Sequence, residues 1–212
     1  MAPFFSPEMN ASVPSDTYLT LAQPSEGLYR DKGSRFIAYA QPVTSEEAIR
    51  DTLEQLRKAH FSARHICYAW RLGADKQRWR ANDDGEPSGT AGRPILGQID
   101  SYGLSDVLVA VVRYFGGILL GTGGLTVAYR EAASDALSRA GTTIRVITDA
   151  FRIIYPYERT PEIQQIIKEF QPEIVQAEYL AVCKATFLLP KSRSDAFLQR
   201  IGKWPEIDWE KA

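Results

Sequence analysis

The sequence predicts an α+β protein of two domains, and three observations carry that prediction. Its 212 residues, 44% hydrophobic and 24% charged, are long for one domain and sufficient for two globular cores. Apolar residues recur with a period of two in some segments and near 3.6 in others, so strands and helices are interspersed. Past residues 141–143 the Gly-rich punctuation gives way to a β-α-β-β-α-β order, that of a ferredoxin-like α/β plait. The expected division is a flexible tail at 1–16, a first domain at 17–142 and the ferredoxin-like domain at 143–212.

Residues 1–15 are rich in Pro, Ser and Asn and have neither the positive charge nor the apolar block of a signal peptide, so they read as a frayed tail. Residues 18–30 and 35–40 read as strands around a turn at Asp31-Lys32-Gly33. Thr44-Ser45-Glu46-Glu47 is a capping box, with Thr44 as the cap, opening a helix whose stripe is Ile49, Leu53, Leu56 and Ala59. Alternation over 65–72 gives a strand with Tyr68 and Trp70 on its buried face, and 78–82 gives a short strand. A helix is predicted over 90–102, Pro94 being tolerated in its first turn. The uninterrupted β-branched run 107–112 is a central strand buried on both faces. A further helix turns Leu125, Ala128, Ala132, Ala136 and Ala140 inward and stops at Gly141; residues this small imply close packing on the sheet.

The ferredoxin-like half starts with a strand over 144–157. A helix follows, with Thr160 as N-cap, Pro161 at its first position and a stripe of Ile163, Ile166, Ile167 and Phe170. Strands over 174–179 and 183–189, a helix over 194–201 and a closing strand over 206–209 complete the order.

Composition excludes several function classes. No apolar run reaches the roughly 20 residues of a membrane span. The two cysteines, Cys67 and Cys183, fall in different predicted domains, and no His or Cys cluster has zinc spacing, which suits a reducing cytoplasm. With a net charge of −1, any nucleic-acid site must be a local patch.

Chemistry concentrates between Asp83 and Arg130. In Asp83-Asp84-Gly85-Glu86-Pro87-Ser88-Gly89-Thr90, three carboxylates within four residues could hold a hard cation or serve as acid and base, although the spacing is not that of a calcium loop. The plainer reading is an acidic turn in which Thr90 caps a helix. The run Arg113-Tyr114-Phe115-Gly116-Gly117-Ile118-Leu119-Leu120-Gly121-Thr122-Gly123-Gly124 leads from a buried strand to a helix start. There, glycines let backbone N–H groups approach an anion, with Arg113 and Arg130 flanking. It is neither a Walker A loop nor a dinucleotide fingerprint. Arginines interleave with aromatics at Arg64-His65, Tyr68, Trp70-Arg71, Arg78-Trp79-Arg80, Arg113-Tyr114 and Tyr129-Arg130, a pattern that pairs phosphates and stacks unpaired bases, although the alternation of Tyr68 and Trp70 assigns those two to the core. The candidate nucleic-acid or phosphate ligands are therefore Arg64, His65, Trp79, Arg93, Arg113, Tyr114, Gly116, Gly117, Gly121, Thr122, Gly123, Gly124 and Arg130. Asp83, Asp84, Glu86, Ser88 and Thr90 form a candidate acidic site. No catalytic constellation, metal-ligand set or cofactor motif is readable.

Arg64-His65-Ile66-Cys67-Tyr68-Ala69-Trp70, the acidic loop 83–92 and the run 111–125 together resemble the signature of the YigZ/IMPACT family, with the likeness extending in order over about residues 17–140. The resemblance implies a first domain folded like the second domain of small-subunit ribosomal protein five and domain four of elongation factor G. It implies a ferredoxin-like second domain, as in that factor's domain five. Eukaryotic members act in translational control by interfering with activation of a starvation-sensing kinase; they carry an N-terminal partner-binding domain that is not expected here, so the kinase role is not expected to transfer. The resemblance supplies no agreed catalytic residues.

Two functions follow as expectations. One is a non-enzymatic nucleic-acid- or ribosome-associated protein that modulates translation, with RNA, the ribosome or a translation-related protein as partner. The other is a small-molecule enzyme acting on a phosphorylated ligand, because the superfamily includes kinases whose Gly-rich loop is similar to 121–125. The serine pair that follows the glycines in those kinases is missing. The acidic loop and the Gly-rich run are expected to face each other across one groove.

Overall fold

In the computed structural model, which describes residues 16–212, the chain separates into two units. One is Tyr18–Arg145; the other is Val146–Ala212 joined by Asp16 and Thr17. Apart from Asp16, the expected tail lies outside the described residues.

The first unit is built on a five-stranded sheet in the order β2-β3-β6-β4-β5, comprising β2 (Ser25–Asp31), β3 (Ser34–Pro42), β4 (His65–Leu72), β5 (Arg78–Asn82) and β6 (Val107–Tyr114). Every neighbouring pair is antiparallel. β6 is central because its run Val107–Val112 has apolar side chains for both faces. Val107, Val109 and Val111 join the core under α2 (Gly92–Ser101) and α3 (Gly121–Ala140). Leu108, Ala110 and Val112 join the clusters that include Ile49 and Leu56 of α1 (Glu46–Ala59). β4 is buried on both sides, with Ile66 and Trp70 towards α1 and Cys67 and Ala69 in the opposite core. That corrects the expected one-sided strand: Cys67 and Ala69 are small enough to lie beneath close-packed helices.

The expected strand over 18–30 is two strands. β1 (Thr17–Leu21) pairs with β7 (Thr142–Val146) in a separate ribbon, and the chain turns at 22–24, where Pro24 has no N–H for a ladder. Ser45, not Thr44, caps α1, its hydroxyl accepting from Ala48 N–H, and Ala59 is exposed.

The second unit has the sheet order β11-β8-β10-β9, formed by β8 (Thr148–Pro156), β9 (Glu173–Glu178), β10 (Val182–Pro190) and β11 (Asp208–Lys211), again wholly antiparallel. α4 (Thr160–Phe170) and α5 (Ser194–Ile201) bury Ile163, Ile166, Phe197 and Ile201 against Phe151, Ile153, Phe187 and Leu189. This is the ferredoxin-like arrangement. The expected strand over 144–157 breaks at Ile147, whose N–H donates to the Asp16 carbonyl at 2.5 Å instead of to a ladder. Thr160 does not act as an accepting cap: its hydroxyl donates to the Tyr157 carbonyl of a preceding 3₁₀ turn. Among the described residues no helix is long and apolar enough to cross a membrane.

Candidate functional site

The acidic loop is shaped by its own carboxylates. Asp84 and Gly85 take the left-handed conformation, φ 42° and 87°, which Asp tolerates and Gly allows without strain. Asp83 Oδ1 accepts from the N–H groups of Ala91 (3.0 Å) and Gly92 (2.8 Å), and Oδ2 from Gly89 (2.8 Å). Asp83 thus caps α2 from eight residues upstream, whereas the Thr90 hydroxyl donates to the Pro87 carbonyl. Burial raises the Asp83 carboxyl, but the three N–H donors and nearby Arg93 outweigh it and hold the group below its ordinary value. Asp84 accepts from Ile66 N–H (2.7 Å) and pairs with Arg57 (2.9 Å). Ser88 is exposed.

Glu86 is buried, and its Oε1 accepts from both Arg113 Nη1 (2.6 Å) and the Tyr129 hydroxyl (2.7 Å). Cys67 Sγ lies 3.2 Å from that hydroxyl and 3.0 Å from the Asp83 carbonyl. Burial pushes the Cys67 thiol and the Tyr129 phenol well up, which favours the protonated form of both and disfavours the thiolate that a nucleophilic cysteine needs. The acidic loop and the Gly-rich run therefore meet, but through a buried ion pair and not across an open groove.

Beside this pair opens a cleft of about 550 Å³ lined by Ser62, Arg64, His65, Arg113, Tyr114, Phe115 and Leu119. β4 and β6 place its floor, since His65 lies directly opposite Arg113 in the ladder. The Arg113 guanidinium lies 5.6 Å from the ring centroids of both Phe36 and Phe115, and its Nε is buried without a hydrogen-bond partner. His65 Nδ1 is 2.8 Å from the Asp84 carbonyl; a carbonyl only accepts, so Nδ1 carries the proton and Nε2 is left for a ligand. Phe115, Ile118 and Leu119 are 54%, 56% and 81% exposed, and Phe61, next to Ser62, is 87% exposed. Of these, Phe115 and Leu119 line the cleft, and exposed apolar side chains of this kind are common on interaction surfaces.

The other predicted residues are placed as follows. Trp79, 53% exposed, lines a separate hollow of about 230 Å³ with Arg93. It lies opposite Arg71 near the far end of β4 from His65. Arg130 pairs with Glu131 and is not among the residues lining the cleft. Gly116 has a structural reason to be glycine: a Cβ there would lie 2.0 Å from the backbone carbon of Gly33. Gly117 and Gly121 have φ of 88° and 71°. Gly123 has open space at its Cβ, Gly124 packs on Leu120, and Thr122 is exposed in the first turn of α3. Sequence reasoning did not select His60, at the end of α1, whose ring nitrogens each lie 2.8 Å from a tyrosine hydroxyl, Tyr39 and cleft-lining Tyr114. Nor did it select Phe115 and Leu119, whose signal was an apolar run inside a Gly-rich loop that fits neither a strand nor a helix.

Residues 32–137 match the Impact N-terminal domain. The chain is 34% identical over 189 residues to the IMPACT family member YigZ of Escherichia coli (strain K12), covering 88% of this chain and 93% of that protein. It is 32% identical over 181 residues to YvyE of Bacillus subtilis (strain 168), covering 85% and 83%. A solved crystal structure of an hypothetical protein superposes with a TM-score of 0.71 at 32% identity, over 92% of this chain and 96% of that one. The domain match contains the acidic loop, the cleft and the start of α3, and the likeness to YigZ and YvyE runs through both units. The chain belongs to the IMPACT family.

Proposed function

We propose that this protein is a non-enzymatic, translation-associated protein that binds unpaired RNA in the cleft of its first unit. The observation that carries the reading is the composition of that cleft, where Arg64 and His65 stand beside the exposed ring of Phe115 and the exposed side chain of Leu119. The Arg64 guanidinium matches a phosphate and an open aromatic face matches a base, and the combination favours a strand whose bases are free to stack. Translation as the setting follows from the family resemblance, whose eukaryotic members act in translational control. The enzymatic alternative finds less support. Magnesium held against a phosphate needs carboxylates free to ligate, and Asp83, Asp84 and Glu86 are each turned onto protein donors.

Fluorescence anisotropy of a labelled single-stranded RNA and of its duplex, titrated over a range of salt, tests the reading. The single strand is expected to bind more tightly. Phe115→Ala should weaken it by about 1–3 kcal/mol with the salt slope unchanged. Arg64→Gln should lower that slope by about 0.7. Equal affinity for the duplex, or indifference to both substitutions, would refute it.

A further inference from the structure

We propose that the cleft continues into a phosphate track, formed by Arg64, Arg35 and Arg30, that carries a single strand across the sheet to its β2 edge. This rests on the reading of the cleft as an RNA site. Arg30 and Arg35 are directly opposite each other in the β2–β3 ladder, and Arg35 is directly opposite Tyr114 in the β3–β6 ladder. Residues opposite in an antiparallel pair share a face, so the two guanidinium groups and the ring form one row. Tyr114 and Arg64 both line the cleft, which extends the row to β4. Neighbouring strands are about 4.8 Å apart, so three steps from β2 to β4 span about 14 Å.

Like charges directly opposite in a sheet are destabilising. Among the described residues neither Arg30, Arg35 nor Arg64 forms an ion pair, although Arg57, Arg71, Arg113 and Arg139 do. Glu26, opposite Tyr39 and four residues from Arg30 along β2, lines the same hollow as Arg30 and Arg35 without forming an ion pair with either. The two guanidinium groups thus outnumber the one carboxylate lining their hollow and are paired to no acid, which leaves them open to an anion. The row is also too long for one phosphate. Its Arg30–Arg35 end lines a second hollow, of about 400 Å³, beyond the stack of the Arg35 guanidinium 5.0 Å over the Tyr114 ring. A ring between cations suits a chain that alternates bases and phosphates better than an acidic polypeptide.

The test uses Arg30→Gln, Arg35→Gln and the double variant in salt titrations with a short and a long oligouridylate, beside thermal unfolding of the free proteins. The long oligomer should lose about 0.7 of its salt slope per arginine and about 1.4 in the double variant. The short one, held in the cleft, should change little, and Arg35→Lys should restore the slope. The unliganded double variant should melt no lower than the unsubstituted protein, because repulsion is relieved. Unchanged slopes while Phe115→Ala still weakens binding would overturn the track and leave the cleft standing. Competition by polyglutamate equal to that by unlabelled oligouridylate would overturn it in favour of an acidic protein partner. No binding of either oligomer by the unsubstituted protein would remove the cleft reading, and the track with it.

Discussion

Asp83 holds three backbone N–H groups at 2.8–3.0 Å and by doing so ties the acidic loop to the start of α2. Its folded carboxyl is held below the ordinary value, so its contribution is fully present above the unfolded pKa of about 3.9 and is lost as pH falls through the lower folded value. Asp83→Asn should therefore cost about 1–2 kcal/mol at neutral pH, the scale of a lost cap, and should flatten the fall in stability below about pH 4. Urea unfolding at a series of pH values checks both effects. At this scale the sequence was half legible. That the loop has a defined shape could be read from its Gly, Pro and hydroxyl content. Which carboxylate meets which donor could not, because Ile66, Arg113 and Tyr129 reach it only through tertiary packing. For the same reason Arg113, which reads as an open phosphate ligand, is drawn to Glu86 instead.

At the scale of elements, the small-residue face of α3 dictates how near β2 can come. A Cβ on Gly27 would lie 2.3 Å from Ala136 N and 2.8 Å from the Ala132 carbonyl oxygen, both backbone atoms that cannot step aside. Gly27→Ala should push β2 from α3 and cost about 1–3 kcal/mol, as overpacking does. Gly97→Ala provides the contrast. Gly97 is exposed within α2 and has nothing within 4 Å of its Cβ, so alanine there should add about 0.5–1 kcal/mol. Denaturant midpoints of the two variants should move in opposite directions. The central strand, the inward alanines of α3 and its stop at Gly141 were readable because local pattern and tertiary role agree there. The breaks at 22–24 and at Ile147 were not. The flanking residues keep a strand pattern, and what separates them is membership of different sheets.

For the whole molecule, the two units offer different surfaces. The first presents a cleft of arginines, histidine, the half-buried Tyr114 and the exposed Phe115. In the second, a small hollow on the sheet is lined by Arg152, Lys184, Gln176, Glu178 and Thr186, which carry both signs of charge and no aromatic ring. With a net charge of −1, the proposed binding to RNA would have to come from arrangement and not from overall attraction. The measurement closest to this claim is photo-crosslinking of the full chain to a single-stranded oligouridylate containing thiouridine, with the attachment sites mapped by mass spectrometry. The account predicts cross-links to residues 60–65 and 113–120, reduced by Phe115→Ala and by added salt. Cross-links confined to residues 148–211, or none above those given by a protein that does not bind RNA, would contradict it.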